Sequence, residues 1–155
     1  MIEQYTPRLE ELWFRRMLLA DAATMSYNHA WGGTIDFPES RWEEWFDRWV
    51  RNPGKDRFYC YLRNEKDEFV GEIAYHLDSG IYLTDVIVYA GYRGRGYGRE
   101  GLCLLCQTAR ERGVQELYDD LAVDNPALSL FLSLGFAETY RTQEYIMLKK
   151  DLAVF

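Results

Sequence analysis

The 155-residue sequence contains little cysteine, little proline and no long apolar run. Its three cysteines are an odd number for a disulfide framework, which is consistent with a reducing compartment. No apolar stretch approaches the roughly 20 residues of a membrane-spanning helix, and the N-terminus lacks the charged-then-apolar pattern of a secretory signal. We therefore expect a cytoplasmic protein that does not bind a membrane.

Basic residues are also scarce. Lys and Arg number 18 against 25 Asp and Glu, so the formal net charge is −7 at pH 7. Nucleic acids and anionic membranes attract basic surfaces, and this balance argues against both as partners. If the charge bears on ligand choice, it favours a cation.

The apolar residues, 48% of the chain, recur at spacings that predict one folded domain over residues 1–155. Predicted helices cover about 8–19, 38–49, 101–113 and 125–136, and predicted strands cover 57–63, 69–77, 81–90, 114–123, 137–142 and 144–150. No strand is evident before Pro7. Short polar turns join the first three strands. This order predicts an α/β protein with a mixed, mostly antiparallel sheet flanked by helices.

The segment YAGYRGRGYGREG, residues 89–101, concentrates glycine and arginine between a predicted strand and a predicted helix. Free backbone N–H groups and the positive end of a helix dipole converge at such a junction, which typically binds phosphate. Residues 96–101 also match the G-x-G-x-x-G pattern of dinucleotide-binding domains, with Asp119 and Asp120 near the distance of a ribose-binding acid. The antiparallel strands before the loop disfavour that alternative.

Residues 93–98, RGRGYG, resemble the Arg/Gln-x-x-Gly-x-Gly/Ala acetyl-CoA motif of the GNAT superfamily of N-acetyltransferases. VIVYAGYRGRGYG resembles that family's fourth strand and pyrophosphate loop. DNPALSLFLSLGF resembles its later Asn-x-x-Ala-x-x-Leu-Tyr-x-x-x-Gly-Phe segment. The similarity covers about residues 57–150 and implies a GNAT fold with a splayed sheet, a coenzyme A or acetyl-CoA ligand, and acetyl transfer to an amine.

The resemblance also implies which residues bind the cofactor. Backbone groups of the fourth strand would pair with the pantetheine arm, the glycine loop would wrap the pyrophosphate, and an asparagine would contact the arm near the thioester. The implied residues are Val86, Ile87, Val88, Arg93, Gly94, Arg95, Gly96, Tyr97, Gly98 and Asn125.

Phe131 stands where many members of the family have a tyrosine that protonates the leaving thiolate. Phenylalanine donates no proton, so three alternatives are open at this point. Water is one acid, a hydroxyl is another, and a non-catalytic module that binds coenzyme A is the third. The hydroxyls nearest in sequence are Tyr92, Ser129, Ser133 and Tyr140.

An amine must be neutral to attack a thioester, which makes a general base useful. Glu72 is our first candidate and Asp85 the second, because both lie on adjacent predicted strands. His76, on the same strand face as Glu72, could relay protons. For each of the two carboxylates, a purely structural role is the alternative.

The loop SYNHAWGGT, residues 26–34, provides candidate acceptor-binding residues. In GNAT folds the first two helices and their connection close over the acceptor. Tyr27, Asn28, His29 and Trp31 are predicted to form an aromatic wall suited to a cation. We expect a small-molecule amine as acceptor. The oligomeric state is open at this point, and edge strands and exposed aromatic residues would suit a homodimer.

The C-x-x-C pair of Cys103 and Cys106 is predicted to pack in the core, because no second pair completes a zinc site. We therefore expect no metal and no thiolate nucleophile. Without such a thiolate, the acetyl group is expected to pass directly to the amine.

Overall fold

The computed structural model describes residues 1–153 and arranges them around one seven-stranded sheet. The strands are β1 (Ile2–Tyr5), β2 (Arg57–Asn64), β3 (Phe69–Asp78), β4 (Ile81–Val88), β5 (Glu116–Ala122), β6 (Ala137–Arg141) and β7 (Tyr145–Asp151). The helices are α1 (Trp13–Ala20), α2 (Trp42–Phe46), α3 (Tyr97–Glu111) and α4 (Leu128–Ser133). In this described part of the chain, no helix is long and apolar enough to span a membrane.

The strands follow the order β1-β2-β3-β4-β5-β7-β6, and every neighbouring pair is antiparallel except β4 with β5. This arrangement confirms the mixed, mostly antiparallel sheet predicted from the sequence. It also excludes a doubly wound dinucleotide-binding domain, which needs a mostly parallel sheet.

The edge strand β1 is an element that the sequence analysis did not find. It pairs with β2 over its whole length, from Ile2 opposite Asn64 to Tyr5 opposite Tyr61. Of its four residues, Ile2 alone is buried. Such a short strand shows too little alternation of apolar and polar residues to be recognised by pattern.

The two faces of the sheet carry different helices. Strand alternation directs Ile73, Tyr75, Leu117 and Leu121 to the face that packs against α3 and α4. The opposite face carries α1 and α2, whose buried side chains include Phe14, Leu18, Trp42 and Phe46. The cores on both sides hold the central strands in place.

The central strands β4 and β5 separate along most of their length. Strand β4 pairs with β3 throughout, and β5 pairs with β7 throughout, but β4 and β5 share only the Leu83–Tyr118 position. The Tyr89 N–H donates to the Val70 carbonyl at 2.9 Å. The hydrogen-bonding groups of successive residues point to opposite edges of a strand. Since those of Tyr89 point to β3, the peptide groups of Val86 and Val88 face the gap.

Gly71 of β3 provides a test of how closely β3 and β4 must approach. A Cβ atom there would overlap the Ile87 carbonyl oxygen and lie 3.1 Å from the Val88 Cα, and both are backbone atoms. We expect Gly71→Ala to lower the free energy of unfolding in urea by about 1–3 kcal/mol, as overpacking does.

Gly98→Ala is the matched control for this substitution. A Cβ at Gly98 meets no atom closer than 3.9 Å, and alanine has the higher helix propensity. We expect this variant to be as stable as the parent or slightly more so. An equal loss of stability in both variants would contradict the packing explanation.

Candidate active site

A cavity of about 810 Å³ lies between the diverging ends of β4 and β5. Its wall continues through the glycine loop, the start of α3, the segment before α4 and the turn that contains residues 24–31. The cofactor-binding residues implied by the sequence all line it except Arg95, which is exposed on the outside of the loop. One cavity therefore joins positions that are far apart in the sequence.

The glycine loop leads into α3 with its backbone amides free. Gly94 and Gly96 have φ angles of 81° and 83°, a region that glycine adopts without strain. The N–H groups of residues 94–99 donate no hydrogen bond within the described chain, and the α3 dipole adds positive potential there. The loop therefore presents a cluster of donors suited to an anion such as pyrophosphate.

The arginines of this loop have different surroundings. Arg93 donates to the carbonyl oxygens of Ala23 at 3.1 Å and Thr24 at 2.8 Å, so it ties the loop to the turn across the cavity. Arg95 lies over the Tyr92 ring at 5.4 Å. The sequence suggested that these arginines supply charge, but Arg93 also fixes the position of two cavity walls.

A second cavity, of about 170 Å³, lies between the sheet and the helices α1 and α2. Trp45, Trp49 and Tyr59 supply its aromatic walls. Asp85 of β4 lines both this cavity and the larger one. The two cavities therefore share a wall that includes Asp85, together with Met25, Asn28 and Ile87.

Glu72, the first candidate base, is held in a buried ion pair. Its side chain is 2% exposed, and both carboxylate oxygens accept from Arg15 Nη1 at 2.7 Å. The Arg15 guanidinium in turn lies over the Trp45 ring at 4.4 Å. Burial tends to lower the pKa of Arg15, but the Glu72 charge raises it above its ordinary value overall.

Arg15 was not identified from the sequence. It lies 57 residues before Glu72, and neither helical periodicity nor strand alternation relates positions that far apart. The Arg15 charge neutralises Glu72. The Glu72 carboxylate is therefore already held in an ion pair in the wall of the small cavity.

Asp85, the second candidate base, has a different environment. Its side chain is exposed to the cavity, and no Lys or Arg of the described chain is within ion-pair distance of it. Desolvation of the carboxyl group by the surrounding protein, and then the Glu72 charge, raise its pKa to about 7. A carboxylate with this pKa gains and loses a proton near neutral pH.

Three further aspartates line the large cavity, namely Asp78, Asp119 and Asp120. None of them is within ion-pair distance of a basic group in the part of the chain that the structure describes. Arg93, at the opposite end, is the only Lys or Arg among the described lining residues. The cavity therefore has an amide-rich end for an anion and an acidic end for a cation.

His76 lies beside this acidic end. Its buried Nδ1 atom has no hydrogen-bond partner among residues 1–153, and its ring meets the Trp49 ring edge-on at 5.7 Å. Burial lowers its pKa, so the imidazole is mostly neutral at pH 7.

The candidate acceptor-binding residues divide into two groups. Tyr27, Asn28 and Trp31 line the large cavity, and Asn28 also lines the small one. His29 lines neither, because its Nε2 lies 3.0 Å from Asp124 on the exposed surface. The ring of Trp31 is tilted against that of Tyr145 at 6.0 Å, which extends the aromatic wall to β7.

The segment before and within α4 closes the cavity on the other face. Asn125 accepts a hydrogen bond from the Ala127 N–H at 2.9 Å and so orders the start of the turn. Phe131 is buried against Phe136, with ring centroids 5.0 Å apart. Its ring lines the cavity as a purely apolar surface.

The cysteines differ from the prediction at one position. Cys103 is exposed on α3 rather than packed in the core. Burial raises the pKa of Cys60 to about 12 and that of Cys106 to about 11, which disfavours their thiolates. Residues 1–153 contain no group of three His, Cys, Asp or Glu side chains arranged to hold a metal ion.

Comparison with known proteins identifies the family. Residues 18–136 match the model of the "Acetyltransferase (GNAT) family", which is more than half of the chain. The chain belongs to the GNAT acetyltransferase family. The family match includes both the glycine loop and residues 124–136. It thereby confirms the resemblance to GNAT acetyltransferases that these two segments indicated.

One curated relative is the "Uncharacterized N-acetyltransferase YycN" of Bacillus subtilis, which is 33% identical over 93 residues. The match covers 56% of this chain and 56% of the B. subtilis protein, so the chain spans little more than half of that relative's length.

Solved GNAT structures share the fold at low sequence identity. Spermidine N-acetyltransferase from Vibrio cholerae, in complex with CoA and spermine, has a TM-score of 0.78 at 16% identity, over 98% of this chain and 96% of the other. The putative acetyltransferase yncA from Salmonella typhimurium, with acetyl-CoA, has a TM-score of 0.74 at 19% identity, over 98% and 94%.

The environment of Asp85 leads to a prediction that needs no ligand. We expect its carboxyl carbon to titrate near pH 7 in a ¹³C NMR series, and Glu72→Gln to lower that pKa because it removes a neighbouring negative charge. Glu138→Gln, on exposed β6, is the matched control and leaves the titration unchanged. An Asp85 titration near its ordinary value of about 3.9 would contradict the described environment.

Proposed function

We propose that this chain is an N-acetyltransferase that moves an acetyl group from acetyl-CoA directly to a primary amine. The observation that carries the proposal is the continuous cavity from the glycine loop to Asp85, formed where β4 and β5 separate. Acetyl-CoA supplies the activated acetyl group. The residues of this chain bind it, orient it and move the protons.

The cofactor would be held mainly by backbone groups. The free amides of residues 94–99 suit the pyrophosphate, and the peptide groups of Val86 and Val88 suit the amides of the pantetheine arm. Gly98 leaves room near this path, since a side chain there would point toward Val88 and Leu130 at the cavity wall. Fixed peptide dipoles of this kind position a thioester without reorganisation.

Asp85 is the general base in this proposal. It lies where the two cavities meet, so an amine at the acidic end of the large cavity would approach the thioester beside it. Its pKa of about 7 suits proton removal from an ammonium group near neutral pH. Glu72, paired with Arg15, would set the charge around Asp85 rather than accept the proton itself.

The acceptor is proposed to be a small cationic amine. Asp78, Asp85 and Asp120 share one sheet face by alternation and have no basic partner in the described chain, so an ammonium group would find compensating charge there. Trp31 and Tyr145 add ring faces that attract cations. The V. cholerae neighbour bound to spermine is compatible with this class of acceptor.

Phe131 supports a second candidate function, a module that binds coenzyme A without turnover. The apolar ring removes one source of protons but leaves the cavity open. The two candidates differ in a thiol-release assay with a panel of amines, because only the enzyme releases thiol from acetyl-CoA in response to an amine.

The proposal predicts how the rate depends on Asp85. Amine-dependent thiol release should rise as pH increases through about 7, because Asp85 must be deprotonated to act. Asp85→Asn should lower kcat by roughly 10²- to 10⁴-fold and abolish this rise. Stopped assays of free thiol from pH 5.5 to 8.5 measure both effects.

Glu138→Gln is again the control, since it removes a carboxylate from exposed β6 without touching either cavity. It should keep the rate and the pH profile of the parent. Tight binding of coenzyme A with no thiol release for any amine would support the non-catalytic module instead. Full activity in Asp85→Asn would reject Asp85 as the base.

A further inference from the structure

Asp119 is a buried acid whose position has no structural explanation. Its residue is 8% exposed, its carboxyl group makes no hydrogen bond or ion pair in the described chain, and it lines the large cavity. A carboxyl group of this kind usually has a partner when it is buried. The missing partner points to something that enters the cavity.

The position of Asp119 relative to the strand gap is specific. Leu83 and Tyr118 form the only paired position of β4 and β5, and the next residues along the two strands are Thr84 and Asp119. Asp119 lies between Leu117 and Leu121, so it faces the α3 and α4 side of the sheet. Asp85, one residue further along β4, faces the opposite side.

These two aspartates therefore flank the closed end of the gap from opposite faces. An arm that runs along the gap from the glycine loop ends between them. We propose that Asp119 is the general acid that protonates the sulfur of coenzyme A as it leaves, in place of the tyrosine that Phe131 replaces. This inference rests on the proposed acetyl transfer.

The hydroxyl groups considered from the sequence do not provide this proton. Tyr92 donates to Glu68 at 3.0 Å, away from the gap. Ser129 and Ser133 donate to carbonyl oxygens of their own segment, and neither lines the cavity. Tyr140 belongs to the exposed edge strand β6. Asp119 is the acid that the cavity wall contains on the Phe131 side.

The surroundings of Asp119 favour the protonated form that the role needs. Burial raises its pKa well above the ordinary value, and the charges of Asp120 and Asp85 raise it further. The residues that line this part of the cavity from α3 and α4, Leu102 and Phe131, carry no charge. No basic group therefore offsets the effect, and these surroundings favour the protonated carboxyl group over the carboxylate.

The step is balanced in atoms and charge. A bond forms between the amine nitrogen and the carbonyl carbon, the carbon–sulfur bond breaks, and its electron pair leaves with the sulfur. An ammonium acceptor first loses one proton through Asp85 to solvent, and it is the neutral amine that attacks. The sulfur takes the proton of Asp119, while the nitrogen gives its second proton to the ionised Asp85. Transfer of one proton from Asp85 to Asp119 through solvent restores both groups.

The first test compares ligand binding, which needs no turnover. The probes are coenzyme A and its desulfo analogue, titrated calorimetrically at pH 8 against the parent and Asp119→Asn. We expect the parent to prefer coenzyme A by at least threefold, because the acid donates to the sulfur, and Asp119→Asn to bind both alike. An equal loss of affinity for both ligands would place Asp119 against another part of the arm and overturn the proposal.

Glu138→Gln is the matched control, since it neutralises a carboxylate on exposed β6 that lines neither cavity. It should keep the preference for coenzyme A over the desulfo analogue. Loss of the preference in this variant too would show a general charge effect and would contradict a specific role for Asp119.

The protein alone provides the second readout. A group whose pKa is raised by folding stabilises the fold while protonated, and this contribution is lost as pH rises toward the folded-state pKa. The parent should therefore lose stability relative to Asp119→Asn from pH 5 to pH 8 in thermal unfolding. If the difference in stability between the parent and Asp119→Asn stays constant from pH 5 to pH 8, Asp119 is ionised over this whole range. That result overturns the proposal.

Turnover completes the test. Asp119→Asn should lower kcat by roughly tenfold to a hundredfold, at the low end of the range for general acids because a thiol is a fair leaving group. Failure of the parent to bind coenzyme A would reject the proposed function itself. An active parent with an equally active Asp119→Asn variant would reject only the role of Asp119.

Discussion

The separation of β4 from β5 after a single shared position is the constraint on which the site depends. Strand β4 is paired with β3 on its outer side, and β5 is paired with β7 on its outer side. These pairings hold the two strands apart and keep the gap between them open. Peptide groups that would pair in a continuous sheet face the gap instead. The sheet therefore supplies both the frame of the protein and the surface that suits an extended ligand.

Charge is distributed unevenly around this gap. The glycine loop presents free amides and a helix N-terminus at one end, and four aspartates without basic partners line the other. The Arg15–Glu72 pair lies next to the acidic end but is neutral overall and enclosed by aromatic rings. Among the described lining residues, positive charge therefore lies at the end of the cavity that holds the free amides and Arg93.

Short-range patterns in the sequence predicted much of the fold and of the candidate site. Alternation predicted the strands, and the glycines of residues 94–98 predicted a loop between a strand and a helix, because both depend on local backbone geometry. The edge strand β1, the Arg15–Glu72 pair and the outward positions of His29 and Arg95 depend on tertiary packing. Asp119 was visible in the sequence, but only the position of the strand gap gives it a chemical role.

Residue-resolved amide hydrogen exchange, with and without coenzyme A, tests the central claim most directly. The account predicts that coenzyme A slows exchange at Val86 and Val88 on the open side of β4 and at residues 94–99 of the glycine loop, while NAD slows neither. Protection by NAD, or protection by coenzyme A confined to other parts of the chain, would contradict a cofactor site built on the separated strands.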